Sequence, residues 1–425
     1  MSAGVAAFLG GARSRLLPAS VTLRFFAAAA LFHLLAWLAL AAGAAQWLSF
    51  GGGLGWPLAA LHLVTLGVLG MTALGAGAQL LPVATLQPAP GWRLLGSLWW
   101  LYTAGVLVLA WGMGMARPPW VAVGGSAVAI ALFAWGVLML RNLRGARGMP
   151  GVVAHGWAAL AALVLVLASA ASLAGTWLGW PVPGRALALG VHLVFAPYGF
   201  MALLVLGLSF ILVPMFALSD APAERDQLVS CGFAVLALTL GGLAAIGIAP
   251  GLLWLAALAA GAIAVAVHLR LMRTALRTGL RRELRRSFAL VKIGWAGLVA
   301  SLALALALVL EVPLPRLQSW FGVALIVGWL LSFLLGMLQR ILPFLAALHA
   351  GGTGRRAPTP SSLTHERALA VHFGCHLAAL AGLALALLAD SVVLATAAAL
   401  IGAAGAAAFC WFTATVLRRL HGSRA

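Results

Sequence analysis

Long apolar runs dominate this 425-residue chain and constrain its fold more than any other feature. Hydrophobic residues make up 64% of it and charged residues 8%, whereas the surface of a soluble domain needs about a quarter charged residues. A helix that crosses a bilayer needs about 20 apolar residues. We therefore predict an all-α polytopic membrane protein with twelve transmembrane helices, near residues 23–48, 56–83, 94–115, 120–140, 152–177, 186–217, 228–248, 250–272, 288–310, 318–348, 366–388 and 391–417.

Three of these runs end with a glycine that is followed seven residues later by a proline. The glycines are Gly75, Gly207 and Gly336, so the motif recurs at intervals of 132 and 129 residues. A period this regular indicates an internal repeat. We predict one membrane domain, residues 1–425, in which three four-helix units form a pseudo-threefold 3 × 4 arrangement. The units cover approximately 20–145, 150–275 and 288–418.

The glycine and the proline of this motif have a structural explanation. Glycine allows two helices to approach closely, and proline loosens the inner end of a helix, where neighbours satisfy the freed carbonyl group. Gln79, Ser209 and Gln339 lie in the same segments. We expect these three side chains to supply the missing hydrogen bonds.

The charge of +19 is explained by membrane topology. When the loops are assigned alternately to the two sides of the membrane, one side contains only Arg117, Arg185 and Arg316, and the opposite loops hold the dense basic clusters. Because basic loops stay in the cytoplasm, both termini are predicted there. The arginine-rich block at 270–286 is expected to contact anionic lipid head groups. The distribution argues against nucleic acid as a partner and for the lipid bilayer.

Acidic residues are rare, and all seven fall at or near the ends of predicted spans. Ion-coupled transporters commonly place an Asp or Glu close to the middle of the membrane. The chain offers none there. This distribution counts against a coupled transporter.

Histidines are the main candidates for chemistry inside the membrane. His62 and His192 occupy matching positions, about two turns below the outer surface, on the second helices of repeats one and two. Imidazole is a common ligand of haem iron and also binds copper. Two imidazoles from different helices at equal depth can hold a haem between them. The alternative is that each imidazole only hydrogen-bonds a neighbouring helix.

A second group of histidines lies towards the cytoplasmic side. His372 and His376 are spaced i, i+4 and share one helix face, and His349 ends the tenth span. We predict a metal site formed by these three residues, which His33 and His155 can join from the first helices of their repeats. The alternative is again a structural role, since a histidine near the membrane interface costs little.

The remaining histidines and the three cysteines carry no predicted site. His268 and His421 are expected at the surface. Cys375 points away from the face that carries its two histidine neighbours. The cysteines have no CxxC spacing, which argues against a disulfide framework or a zinc site.

Several segments resemble a known superfamily. They are LRFFAAAALF at 23–32, HLVTLGVLGMTALGAGAQLLPV at 62–83, GLSFILVPMF at 207–216 and GMLQRILPF at 336–344. With twelve spans and histidines on the second helices, the chain resembles subunit I of the haem-copper oxidases. It is also similar to the NnrS family, whose haem- and copper-containing membrane proteins are associated with nitric oxide metabolism.

The resemblance implies roles for two histidines. His62 matches the low-spin haem ligand of the oxidase second helix, and His192 matches the copper-binding histidine of the sixth. Ala196 stands where the oxidases have a tyrosine four residues after that histidine, with Tyr198 two residues further on. The seventh span and the outer half of the tenth lack the remaining oxidase histidines. An oxygen-reducing centre therefore cannot be assembled.

Taken together, these observations favour a b-type haem protein that also binds copper and is linked to nitric oxide or respiratory redox physiology. The expected location is the bacterial cytoplasmic (inner) membrane, and the expected partner is a redox protein. Two alternatives stay open. One is a metal-free transporter or channel on the same scaffold, and the other is a non-catalytic assembly subunit.

Overall fold

The computed structural model describes residues 15, 17–281, 284–350 and 358–422. In this part of the chain twelve helices are long and apolar enough to cross a membrane, which confirms the predicted all-α polytopic membrane fold. They are α1 Ala19–Ala42, α2 Trp56–Thr85, α3 Trp92–Gly114, α4 Pro118–Arg144, α5 Pro150–Trp177, α6 Arg185–Ala217, α7 Glu224–Ala245, α8 Pro250–Thr278, α9 Arg285–Val309, α10 Leu317–Ala350, α11 Glu366–Ala389 and α12 Val392–Gly422.

The predicted spans correspond one to one with these helices, with small differences at the ends. The first helix stops at Ala42, and a separate turn of helix, Ala44–Trp47, completes the run that was predicted to reach residue 48. The two pairs of predicted spans with the shortest connections, α7/α8 and α11/α12, are separate helices. Pro250 begins α8, where its missing N–H costs nothing, and Asp390 ends α11 in the left-handed conformation, with φ 48°.

Three inner helices hold the fold together. The most apolar stretches of α2, α6 and α10 are 72%, 94% and 67% buried inside the protein, whereas that of α8 is 22% buried. These three are the second helices of the three predicted repeats. Their common central position agrees with a repeated architecture, and the full 3 × 4 arrangement stays a prediction.

Each inner helix contains one π-helical segment in its N-terminal half. The segments are Leu63–Gly70 in α2, Phe195–Met201 in α6 and Val323–Leu331 in α10. In α6 the interruption has a local cause, since Pro197 has no N–H to donate to the helix. Such segments widen the helix by one residue and leave carbonyl groups that need other donors. The period of the predicted repeat therefore reappears in the local geometry.

Side chains from neighbouring positions donate to carbonyl groups of two π-helical segments. The Tyr102 hydroxyl on α3 donates to the Leu66 carbonyl at 3.0 Å, and the Ser332 hydroxyl donates to the Val327 carbonyl at 2.8 Å. Gly70 provides the space for the first of these bonds, because a Cβ there would overlap the Tyr102 hydroxyl. In hydrocarbon no water can replace these donors.

The repeated glycines are points of close contact between the first and second helices of each repeat. A Cβ added at Gly75 would lie 2.7 Å from the Phe25 Cβ, and one at Gly207 would lie 2.8 Å from the His155 Cβ. This agrees with the packing role predicted for the motif. The sequence analysis overlooked a further glycine eight residues before each of them, at 67, 199 and 328. All three lie within the π-helical segments.

The polar side chains of the motif do not have the predicted partners. The Gln79 Oε1 accepts from the Leu17 N–H at 3.2 Å, and the Ser209 hydroxyl donates within its own helix to the Val205 carbonyl at 2.6 Å. Gln339 contacts a histidine instead of a backbone carbonyl. The prolines lie inside helices that continue past them. Gln79 and Gln339 therefore form tertiary contacts instead of compensating for the prolines.

Carboxylates lie outside the membrane interior wherever the structure describes them. Glu366 begins α11 and pairs with Arg285 and Arg286 at 3.7 and 3.6 Å, and Asp226 pairs with Arg270 at 2.9 Å. These pairs are exposed, and exposed ion pairs contribute little to stability. Glu283, also predicted near a span end, lies outside the described residues.

The close contact at Gly207 leads to a testable prediction. We expect Gly207→Ala to lower the free energy of unfolding by about 1–3 kcal/mol, because its Cβ would be forced against His155. The measurement is thermal unfolding of the detergent-purified protein. Gly232→Ala on α7 is the matched control, since no atom lies within 4 Å of its Cβ position. Equal behaviour of the two variants would contradict the close-packing role.

Candidate metal centre: a buried histidine cluster

Three histidines from two helices meet inside the protein. His33 lies on α1, and His372 and His376 lie one turn apart on α11. One ring nitrogen from each can be chosen so that all three lie within 4.8 Å of one another. The side chains are 1%, 0% and 2% exposed. We call these three residues the histidine triad.

Each histidine of the triad has one nitrogen with an outer partner and one without. Trp37 Nε1 donates to His33 Nε2 at 3.0 Å, Gln339 contacts His372 Nδ1 at 3.2 Å, and Ser332 contacts His376 Nε2 at 2.8 Å. The opposite nitrogens, Nδ1, Nε2 and Nδ1 respectively, are buried and have no partner in the described structure. For His372 and His376 this division into a held and a free nitrogen is the usual arrangement of metal-binding histidines.

The π-helical segment of α10 determines which nitrogen of His376 is free. The single hydroxyl proton of Ser332 is donated to the Val327 carbonyl, so the Ser332 oxygen accepts from His376 Nε2–H. A neutral His376 then carries its proton on Nε2 and an available lone pair on Nδ1. The π-helical segment of α10 thus leaves the Nδ1 lone pair of His376 available to a metal.

Gln339 can prepare the second ligand. Its side-chain amide has a donor end and an acceptor end, and which end faces His372 is an assignment made from the surrounding hydrogen bonds. With the oxygen towards His372, Nδ1–H donates to the amide and the Nε2 lone pair is free. The Gln339 Oε1 has no partner in the other orientation.

His33 is held in a form that competes with metal binding. An indole N–H can only donate, so the bond from Trp37 requires a lone pair on His33 Nε2 and places the proton of neutral His33 on Nδ1. Coordination through Nδ1 moves that proton to Nε2, and coordination through Nε2 uses the lone pair. Either way the bond from Trp37 is lost.

The walls of the triad are aromatic and closely packed. Helix α12 packs against both α1 and α11, and its Phe409 ring lies 5.0 Å from the His372 ring and 6.2 Å from the His33 ring between centroids. Metal–nitrogen bonds of about 2.0–2.1 Å place ligand atoms roughly 3.3–3.6 Å apart. The triad nitrogens, which lie within 4.8 Å of one another, would have to approach by no more than about 1.5 Å to bind a metal together.

Two of the predicted cytoplasmic-side ligands come together, and the third does not join them. His372 and His376 share a site, and His33 completes it, as the sequence analysis allowed. His349 lies elsewhere: its Nδ1 and Nε2 face the Leu345 and Leu17 carbonyls at 2.7 and 2.8 Å. Both ring nitrogens of His349 therefore face backbone carbonyl groups, and neither is among the ligand atoms of the triad.

His155 also lies apart from the triad, in a second buried group on α5, α6 and α8. The ring centroids of His155 and His268 lie 5.4 and 5.2 Å from that of Phe210. The surface position predicted for His268 is wrong, since the side chain is fully buried. Helix α8 continues to Thr278, so residue 268 lies well inside the helix and faces its neighbours.

His62 and His192 are oriented alike, although on different helices. The Nδ1–H of His62 donates to the Leu58 carbonyl at 3.0 Å, and His192 Nδ1 contacts the Ser169 hydroxyl at 3.2 Å. That hydroxyl donates to the Leu165 carbonyl and therefore accepts from His192. Both rings keep Nε2 free of hydrogen bonds in the described structure, and both side chains are partly exposed.

The sequence analysis missed the outer partners of the triad. Trp37 follows His33 by four residues, which places both on one helix face and was a usable signal. Ser332 and Gln339 lie on α10, and their spacing along the chain carries no indication that α11 packs beside them.

The Ser332 bond gives a prediction for stability. Ser332→Ala leaves the Val327 carbonyl and the His376 N–H buried without partners, so we expect a loss of about 1–3 kcal/mol in the free energy of unfolding. Chemical denaturation in detergent measures it. Thr239→Ala removes an exposed hydroxyl bonded to its own helix and should change stability by less than about 0.5 kcal/mol. A neutral Ser332→Ala would show that His376 is held in another way.

Comparison with known proteins identifies no relative of this chain: no protein-family model matches it, and neither does any curated protein sequence.

Proposed function

We propose that this protein is a membrane-embedded binding protein for a redox-active transition metal, held by His33, His372 and His376. The observation that carries the proposal is a group of three buried histidines whose ring nitrogens come within 4.8 Å of one another, each with one nitrogen that has no partner in the described structure. The proposed setting is the bacterial cytoplasmic membrane with both termini in the cytoplasm. A role in nitric oxide or respiratory redox physiology is proposed from the resemblance alone.

Metal binding explains the triad better than helix–helix contact does. A histidine that only joins helices needs one partner: His372 and His376 already have theirs in Gln339 and Ser332 of α10, and His33 is bonded to Trp37 of its own helix. A buried polar atom without a partner costs about 1–3 kcal/mol, so three of them in one place are expensive. A shared ligand would remove this cost at all three atoms.

The chemistry open to such a centre is metal storage, delivery or electron transfer. The triad supplies neutral nitrogen ligands that suit copper, iron, nickel and zinc. Trp37 and Phe409 enclose it on the sides that the structure describes, and no carboxylate lies among its ligand atoms. These walls provide no general acid or base, which favours binding or electron transfer over catalysis of oxygen reduction.

Metal analysis of the purified protein tests this proposal. We expect about one transition-metal ion per chain after purification without chelators, and loss of that ion in His372→Gln and His376→Gln. Gly374→Ala, on the same helix between the two ligands and with open space at its Cβ position, is the matched control. Metal content that does not depend on the triad, or no metal at all, would contradict the proposal.

A second prediction is that the Trp37→Phe variant binds the metal more tightly than the unmodified protein. The variant removes the hydrogen bond that must break on coordination, and such a bond contributes about 0.5–1.5 kcal/mol. Metal affinity should therefore rise by about 2- to 12-fold. A purely structural role for His33 predicts no rise.

A second candidate function is binding of haem b by His62 and His192. The matching orientation of the two rings favours it: each Nδ1–H is held by a neighbour and each Nε2 is free, which is the arrangement of axial histidine ligands. When bound, the haem would supply one-electron chemistry. His62 and His192 would hold it between α2 and α6, and Leu58 and Ser169 would fix their ring orientation.

A reduced-minus-oxidised spectrum tests the haem proposal. A b-type α-band that disappears in His62→Ala or in His192→Ala would support it, with His349→Ala as a control that leaves the band intact. No band after expression with sufficient haem would contradict it. Absence of both haem and metal would favour the transporter or assembly-subunit alternative, which uptake into proteoliposomes then separates.

A further inference from the structure

We propose that the triad selects a monovalent ion, Cu(I), over the divalent metals that imidazole also binds. This inference rests on the proposed function, since it specifies the metal held by the same three histidines. It is argued from the charge that surrounds the site.

The triad has no anionic partner in the described structure. Its ligand group contains only the three histidines. The six described carboxylates lie at helix ends or in loops, among them Glu366 at the first residue of α11 and Asp390 just beyond its last. Glu366 and Asp390 pair with arginines, Arg285 and Arg316 among them.

Thiolates are equally absent from the site. Cys375 lies between the two histidines of α11, but its Cβ faces Gly405 of α12, 2.7 Å from a Cβ built there. Cys410 donates its S–H to the Ala30 carbonyl at 3.1 Å. Neither sulfur joins the ligand group, so every ligand that the protein supplies is neutral.

A neutral site in hydrocarbon discriminates strongly by charge. The cost of transferring an ion from water into a low-dielectric medium rises with the square of its charge, so a divalent ion pays about four times the penalty of a monovalent ion of equal size. Proteins usually offset this with carboxylate or thiolate ligands. Here the full charge of the ion would remain uncompensated.

Nitrogen ligands restrict the choice among monovalent ions. Sodium and potassium bind oxygen atoms and gain little from imidazole, whereas copper binds imidazole well. Three neutral imidazole nitrogens that lie within 4.8 Å of one another can surround Cu(I) without a fourth ligand. The Phe409 and Trp37 rings lie against the histidine rings of the triad.

The experiment compares ions of different charge on the same protein. Detergent-purified protein is stripped of metal and titrated anaerobically with Cu(I) in competition with a colorimetric Cu(I) chelator. Zn(II) and Co(II) are titrated separately by equilibrium dialysis. We expect one tightly held Cu(I) per chain and affinity for either divalent ion lower by about 100-fold or more. X-ray absorption should show copper bound to three nitrogens.

Ligand variants connect the bound copper to the triad. His33→Gln and His372→Gln should lose the Cu(I), whereas Gly374→Ala and His421→Ala should retain it. Size-exclusion elution and thermal unfolding identify variants that fail to fold, and His372→Asn then replaces the affected one.

The outcomes separate the two proposals. Triad-dependent binding of Zn(II) or Co(II) as tightly as Cu(I) would overturn the charge argument while leaving the proposed metal centre intact. No triad-dependent binding of any of the three ions would overturn both. Copper that remains bound in the ligand variants would also overturn both, because it would lie elsewhere.

Discussion

Backbone hydrogen bonding without water is the constraint on which this structure depends. Within hydrocarbon every carbonyl group must find a donor inside the protein. The three inner helices nevertheless contain π-helical segments, and at Leu66 and Val327 donors from Tyr102 and Ser332 reach the backbone. Distortion of an inner helix is therefore coupled to a particular neighbour. This coupling makes the local geometry specific to its tertiary contacts.

Ser332 links that constraint to the candidate site. By donating to the helix it distorts, its hydroxyl becomes an acceptor for His376 and fixes the position of the histidine proton. Trp37 acts in the opposite direction on His33, since its donated bond opposes coordination. Ser332 thus favours metal coordination by His376, whereas Trp37 opposes coordination by His33. In the proposed metal centre, occupancy would depend on the balance between these two hydrogen bonds and the metal–nitrogen bonds.

The interior around the histidine triad contains none of the described carboxylates. The described carboxylates lie at helix ends, where Glu366 and Asp226 meet arginines. A neutral interior costs least in the bilayer, and it also limits what the triad can bind. The lack of interior charge that permits membrane insertion would therefore also restrict which ions the triad can bind.

The sequence by itself determined the class of fold, the twelve helices and the close-packing glycines, because apolar length and the recurrence of Gly75, Gly207 and Gly336 are local properties. It also identified His372 and His376 as a pair, since i, i+4 spacing places two side chains on one helix face. The π-helical segments of the inner helices could not be predicted from the sequence. A π-helical segment depends on donors such as Tyr102, which come from other helices.

Only the tertiary structure decided which histidines meet. Helix packing brings His33 to the pair on α11, a separation of more than 300 residues, and leaves His349 bound to the Leu17 carbonyl. It also buries His268, which the sequence placed at the surface. The physical reason is that rotation about a helix axis sets the neighbour of each side chain, and in an apolar helix with little amphipathicity the sequence carries almost no signal for that rotation.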